Sequence, residues 1–293
     1  MDGIIVVDKP RQWTSHDVVN RMRRLAGTRK VGHLGTLDPA ATGVLPMVVG
    51  RATRLAQFFS RNDKIYQGVI HFGYATDSYD GDGTPISEPV AVVLDAAVLE
   101  GALDRFRGEF EQTPPPVSAK KIAGRPAYEL ARQNLPVELK PVKVCVSRLA
   151  VLEMTGCEVT LRVHCSAGTY IRGIAHDLGQ ALGCGAFLQS LRRLASGDFK
   201  IEQARTLEEL GALAEAGRLE DALIPASTLL PDFPAETVDE ITEGQIRNGR
   251  DFRVSPFQVR PDARYVKALN AHGELVAIGE ARLPHVYHPV MVL

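Results

Sequence analysis

Short β-branched runs and helically spaced apolar positions alternate along this chain, and together they predict strands and helices intermixed. Residues 3 to 8 form an apolar run ending at Lys9-Pro10, which predicts a strand. Ser15 then stands as the N-cap of a helix whose Val18, Val19, Met22 and Leu25 share one face, with Gly27 as its stop. Val44 to Val49 is apolar and β-branched, Ala52 to Phe59 reads as helix, and Lys64 to Gly73 alternates as a strand with Tyr66 near its start.

Beyond the break at Thr113-Pro114-Pro115-Pro116, Arg125 to Arg132 predicts a short helix in basic surroundings. Lys140 to Met154 and Glu158 to Cys165 alternate like paired strands. A helix capped by Thr169 and running through Leu182 places Ile171, Ile174, Leu178 and Ala181 on a core face, with Arg172 projecting from the opposite side. Leu191-Arg192-Arg193-Leu194 precedes a strand over Asp198 to Ile201 and an acidic helix from Thr206. The pattern changes at Pro231-Asp232-Phe233-Pro234. The C-terminal stretch after it has room for a helix near Asp239 to Asn248 and short strands at Tyr265 to Leu269, Leu275 to Gly279 and Tyr287 to Val292. About sixty residues of this kind make a small barrel-like module, too small to be robust alone and expected to lean on its neighbour.

The chain has 293 residues, 45% of them hydrophobic, enough for one large domain and a small one. No apolar run approaches the roughly 20 residues of a membrane span, and the first residues carry no basic leader, so a cytoplasmic protein is expected. Cys145, Cys157, Cys165 and Cys184 lack paired metal-ligand spacing and read as free thiols. Cys165 as a nucleophile would need a partner base that no sequence feature supplies.

The net charge of −1 conceals segregation. Residues 1 to 64 hold eleven Lys and Arg against five Asp and Glu, and residues 119 to 205 hold thirteen against seven. Such blocks permit a basic cleft for a polyanion on a protein that is neutral overall, although solvated faces would show the same pattern.

Two loops carry candidate chemistry. Residues 30 to 46 enclose one acidic residue, Asp38, among Gly32, Gly35 and Gly43, glycines that permit positive φ, while Pro39 restricts Asp38 to extended backbone. A carboxylate aimed in this way can act as nucleophile or base, and the same residues also suit a plain Asx-type turn. The second loop, Thr76-Asp77-Ser78-Tyr79-Asp80-Gly81-Asp82-Gly83, clusters acids without EF-hand spacing, and a mobile or substrate-edge loop is expected rather than a metal site.

The segment Gly32-His33-Leu34-Gly35-Thr36-Leu37-Asp38-Pro39 with Ala41-Thr42-Gly43 resembles the signature of the bacterial tRNA pseudouridine-55 synthases, which isomerise the T-loop uridine. The resemblance takes in Asp8-Lys9-Pro10, Thr14-Ser15-His16, Lys64-Ile65-Tyr66, Thr76-Asp77 and Asp80-Gly81-Asp82-Gly83. It continues through Pro115-Pro116, Ser118-Ala119-Lys120-Lys121, Cys165-Ser166, Gly168-Thr169-Tyr170-Ile171-Arg172 and Leu191-Arg192-Arg193, so that it covers most of residues 3 to 200 in order. The C-terminal part more loosely resembles the RNA-binding module that these enzymes share with archaeosine transglycosylases.

The resemblance implies an α+β fold: a catalytic domain over residues 1–230 with a mixed, largely antiparallel sheet and flanking helices, and a β-barrel-like PUA-type RNA-binding domain over residues 235–293. It implies that Asp38 is the catalytic carboxylate, Tyr66 the aromatic stacked on a flipped uracil, Arg172 the ion-pair partner of Asp38, and Tyr170 and Leu191 the pocket wall. His33 would fill space vacated in the T-loop, and Lys9 and Pro10 would support the pocket. The expected partner is tRNA, bound through T-loop and T-stem by a monomer with no obligatory protein partner, no membrane, no metal and no cofactor.

Breaking the bond from ribose C1′ to uracil N1, turning the base and joining C5 to C1′ needs no redox change or energy source. A carboxylate suits it, whether by attack at C1′ or by a route through a glycal. A non-catalytic RNA-binding protein would keep the basic clefts without the Asp38 chemistry. A glycoside hydrolase would need a second carboxylate, for which Asp77 and Asp80 are the nearby suggestions.

Overall fold

A ten-stranded sheet organises the larger part of the chain in the computed structural model, which describes residues 1–116, 121–122, 125–126, 139–260 and 262–293. Its main path runs Ile224–Pro225, Gly3–Lys9, Thr42–Val49, Ala186–Ser196, Lys64–Phe72, Glu158–Cys165, Val142–Thr155, Gly108–Gln112. Val31–His33 adds to Thr42–Val49, and Phe199–Lys200 adds to Ala186–Ser196. The described strands of this sheet pair antiparallel except at one seam, where Ala186–Ser196 lies parallel to Thr42–Val49 with Arg193 opposite Gly43. The sheet is therefore mixed and largely antiparallel, as expected.

Strand alternation divides the apolar side chains between two cores. Ile5, Val7, Leu45 and Met47 face one, where the helices Ser15–Leu25 and Ile171–Ala181 pack through Val18, Met22, Ile174 and Leu178. Ile4, Val6, Val44 and Val48 face the other. That second core also takes in Leu275, Ile278, Met291 and Leu293, from the region of a five-stranded sheet ordered Ala235–Thr237, Tyr265–Leu269, Leu275–Leu283, Val286–Val292, Phe252–Arg253. The C-terminal sheet does lean on its neighbour, and the contact is a shared apolar core. Lys267 adds a polar clip, its Nζ donating to the carbonyls of Ser227 and Leu229, each at 3.0 Å.

Several local expectations are corrected. Thr14, one residue before Ser15, caps the first helix and forms a reciprocal capping box with Asp17. The helix Ile171–Ala181 has no side-chain cap, and the Thr169 hydroxyl donates to the Ser166 carbonyl at 2.9 Å instead. Gln112 takes over its entry, since it accepts from the Tyr170 amide and donates to the Tyr170 carbonyl, both at 2.8 Å. Ala181, expected on the core face, is exposed, and Arg172 is buried. The helix expected over residues 125 to 132 falls largely outside the described residues, and its first two, Arg125–Pro126, pair as strand with Lys121–Ile122. Residues 118 to 120 of the resemblance also lie outside them.

Candidate active site

The loop ahead of the Thr42–Val49 strand is pinned through its backbone by buried side chains. The Ser15 hydroxyl accepts from the Leu37 amide at 2.9 Å and lies 3.1 Å from the Leu37 carbonyl. Lys9, fully buried at the end of its strand, donates from Nζ to the carbonyls of Pro10 at 2.9 Å, Trp13 at 2.6 Å and Pro39 at 3.2 Å. Buried Arg193 donates from Nε to the Val44 carbonyl at 2.7 Å and from Nη2 to the Gly35 carbonyl at 3.0 Å, with Nη1 3.4 Å from the Thr36 carbonyl. The Lys9 and Arg193 contacts satisfy carbonyls, and the Ser15 contact a backbone amide, that would otherwise be costly to bury.

Two glycines make this packing possible. Gly35 and Gly43 have φ of +96° and +100°, and a Cβ on Gly43 would stand 2.2 Å from the Arg193 carbonyl oxygen across the parallel seam. Gly32, expected to share that freedom, lies in regular strand opposite Val48 and needs none. The Ala41 amide donates to the Asp38 carbonyl at 3.1 Å, closing a turn around Pro39. Asp38 is thus a turn residue by its backbone, while its side chain lines a cavity of about 510 Å³.

Arg172 reaches that cavity from the first turn of the helix Ile171–Ala181 and is only 5% exposed. Its Nε stands 2.9 Å from Asp38 Oδ2, and its Nη1 is held by the Ser78 carbonyl at 2.9 Å and by Asp80 Oδ2 at 3.4 Å. Desolvation pushes the Asp38 carboxyl above its ordinary pKa; Arg172 pulls against this, and Asp80 adds to the rise. An adjacent guanidinium, charged at every working pH, favours the carboxylate form at neutrality. Burial brings the Lys9 ammonium down to about 8, opposed by Asp38 and reinforced by Arg193.

Sheet register places the remaining wall. Gly43, Arg193 and Tyr66 lie on one rung across three strands, so the buried Tyr66 ring faces the cavity beside Arg193. Desolvation raises the pKa of the Tyr66 phenol. Tyr170 and Leu191 complete the lining together with Lys64. Of the residues singled out in the sequence, Asp38, Tyr66, Tyr170, Arg172 and Leu191 meet at this cavity. Lys9 and Pro10 sit under the Asp38 loop, whereas His33, half-buried at the end of the Val31–His33 strand, is outside the lining. Burial, with Arg193 and His16 nearby, lowers the His33 pKa.

Asp80 and Arg193 emerge with roles that no sequence motif assigned. Alternation from Leu191 puts residue 193 on the same strand face, so a signal for Arg193 existed. Asp80 stood out in the sequence only as one acid of its loop and as a second carboxylate for a glycoside hydrolase; its pairing with Arg172 had no local signal, because that partner arrives from a distant helix. The acids of its loop are engaged within the protein: Asp77 Oδ1 accepts from the Thr84 amide at 2.9 Å, and Asp80 Oδ1 from the Ser78 hydroxyl at 2.6 Å. Cys165 is buried, and desolvation pushes its thiol up to about 11, away from the thiolate form that a nucleophile needs.

A paired carboxylate, an aromatic wall and basic neighbours around one cavity suit carboxylate chemistry on a planar substrate. The chain matches the TruB family pseudouridylate synthase N-terminal domain over residues 23–171 and the tRNA pseudouridylate synthase B C-terminal domain over residues 172–231. It is 63% identical over 293 residues to the tRNA pseudouridine synthase B of Solibacter usitatus (strain Ellin6076), covering 100% of both chains. To the enzyme of the same name from Dechloromonas aromatica (strain RCB) it is 42% identical over 280 residues, 96% of this chain and 91% of that one. Its fold is similar to the crystal structure of a Cbf5-Nop10-Gar1 complex, with a TM-score of 0.71, 28% identity, and coverage of 97% of this chain and 79% of that one. The chain belongs to the TruB family of pseudouridylate synthases, isomerases that convert uridine to pseudouridine.

Proposed function

We propose that the chain isomerises the uridine at position 55 in the T-loop of tRNA, with Asp38 as the carboxylate on which cleavage and re-formation of the glycosidic bond depend. One observation carries this reading: the Asp38 carboxylate, 2.9 Å from Arg172 Nε, opens onto a cavity walled by Tyr66, Tyr170 and Leu191. The relatives named tRNA pseudouridine synthase B support tRNA as the substrate. Extruding a uridine from a folded loop costs a few kcal/mol, and stacking on Tyr66 returns about 1–3 kcal/mol. Tyr170 and Leu191 flank the base, Lys9 and Pro10 hold the floor, and His33 occupies space that the extruded nucleotide leaves. Residues 1–230 act as the catalytic domain and residues 235–293 as a PUA-type RNA-binding domain. The reaction is internally balanced, so the chain works without cofactor or metal, as a cytoplasmic monomer with no obligatory protein partner.

Release of tritium from uracil C5 in a T-loop RNA tests the assignment. Wild type is expected to release it, Asp38→Asn to release none above background while binding RNA within a few-fold of wild type, and an RNA with cytidine at the target to be inert. Near-wild-type release by Asp38→Asn overturns the role given to that carboxylate.

A further inference from the structure

The acidic loop meets the helix Ile171–Ala181 at an aromatic stack that the chemistry above leaves unused. The rings of Tyr79 and His176 lie face to face, with centroids 3.7 Å apart and planes 12° from parallel. His176 follows Arg172 by four residues, so it occupies the same helix face one turn on. Tyr79 sits between Ser78 and Asp80, the two residues that hold Arg172 Nη1. Its φ of +66° is uncommon for a bulky residue, and its carbonyl accepts from the Leu188 amide at 3.0 Å while the Gly81 amide donates to the Leu188 carbonyl at 3.0 Å. His176 Nδ1 has no hydrogen-bond partner among the described residues, so the stack, rather than a polar contact at that atom, fixes its ring.

We propose that the Tyr79–His176 stack is a positioning device for the isomerisation: it clamps the backbone of residues 78–80 to the helix that carries Arg172, and thereby fixes the guanidinium that orients Asp38. The inference rests on the isomerase reading given above. Arg172 is gripped at two ends, with Nε at Asp38 and Nη1 at Ser78 and Asp80. Release of the loop frees the Nη1 end, lets the guanidinium swing, and leaves the carboxylate without a fixed partner in the reacting complex. Displacements of this size near reacting atoms cost rate far more than substrate affinity.

The test compares Tyr79→Ala, His176→Ala and their combination in the full chain by single-turnover tritium release, RNA dissociation constant, thermal midpoint and amide exchange at Gly81. Each single variant is expected to lose about five- to twentyfold in rate with RNA affinity within about twofold, and the double to be no slower than the worse single, as for one shared interaction. Gly81 exchange should quicken in both singles. His176→Phe, which keeps a flat face, should restore the rate, whereas His176→Leu, apolar and of similar bulk, should not. A lowered thermal midpoint with an unchanged rate at 25 °C overturns the proposal, as does unaltered Gly81 exchange in His176→Ala. A wild-type chain inert on T-loop RNA instead overturns the isomerase reading, which the exchange measurement does not depend on.

Discussion

Arg172 lies between two loops that are built on different terms. The Asp38 loop is held by Lys9, Ser15 and Arg193, buried side chains that hydrogen-bond its backbone. The acidic loop is held by two bonds to Leu188, by its own contact between Ser78 and Asp80, by the Tyr79 stack and by Arg172 itself. In the first loop the anchoring hydrogen bonds go to the backbone, and Lys9 meets the Asp38 carboxylate through its charge. In the second the group that orients Arg172 depends on Arg172 for part of its own placement.

The sharpest way to break this comparison is to neutralise each carboxylate in turn. Asp38→Asn should cost on the order of 10³–10⁴-fold or more in single-turnover rate with the fold intact, since no anchor is lost. Asp80→Asn should cost about tenfold, because the Ser78 carbonyl still holds Nη1. Equal losses in the same assay would erase the distinction. Next, Arg193→Gln should lower stability in urea unfolding by about 2–4 kcal/mol as buried carbonyls of the Asp38 loop lose donors, whereas Asp80→Asn should change it by less than about 1 kcal/mol.

A smaller effect comes from Lys9. Its pKa is about 8 in the folded chain and 10.5 unperturbed, so between those values the unfolded state carries the extra proton. The contribution of Lys9 to stability therefore rises with pH across that window, and its burial penalty acts in full below pH 8. Turnover should move the opposite way, falling a few-fold above pH 8, because a neutral amine has two N–H groups for the three carbonyls now bound. Urea titrations and single-turnover rates at pH 7 and pH 10 check the two signs. The smallest change is expected away from both loops, in the C-terminal region, where Arg260 and Arg264 line a surface hollow with Tyr265: Arg260→Gln with Arg264→Gln should weaken RNA binding a few-fold, flatten its salt dependence by a slope of about 1–2, and leave the bound-state rate unaltered.

Regular alternation made much of the larger sheet legible, with Lys64–Phe72 burying every second residue as its sequence implies. The Ala186–Ser196 strand was not legible, because register shifts between Leu188 and Ser190 and between Arg193 and Ala195 break the period of two that the eye follows. The helix Ala96–Leu103, capped by Asp95, also escaped notice within a polar stretch. At the site, spacing alone offered Asp38 as either turn or catalyst, and the structure shows the turn with the side chain lining the cavity. The grouping of Tyr66, Tyr170, Leu191 and Arg172 with it came from resemblance, since residues so far apart share no local signal. Helical periodicity sent Arg172 away from the core, which was correct for the apolar face but silent about a second, polar interior.

The Gly3–Lys9 strand couples two distant parts of the molecule mechanically. Its Ile4 and Val6 sit in the core shared with the C-terminal sheet, and its last residue, Lys9, sits under the Asp38 loop. Seven residues at about 3.3 Å each make a rod of roughly 20 Å that cannot stretch. A shift of the C-terminal sheet against the larger one has to be carried along this strand to the Asp38 loop, or break the pairing with Thr42–Val49 that runs its whole length. The spacing between the shared core and the Asp38 loop is thus set by one strand.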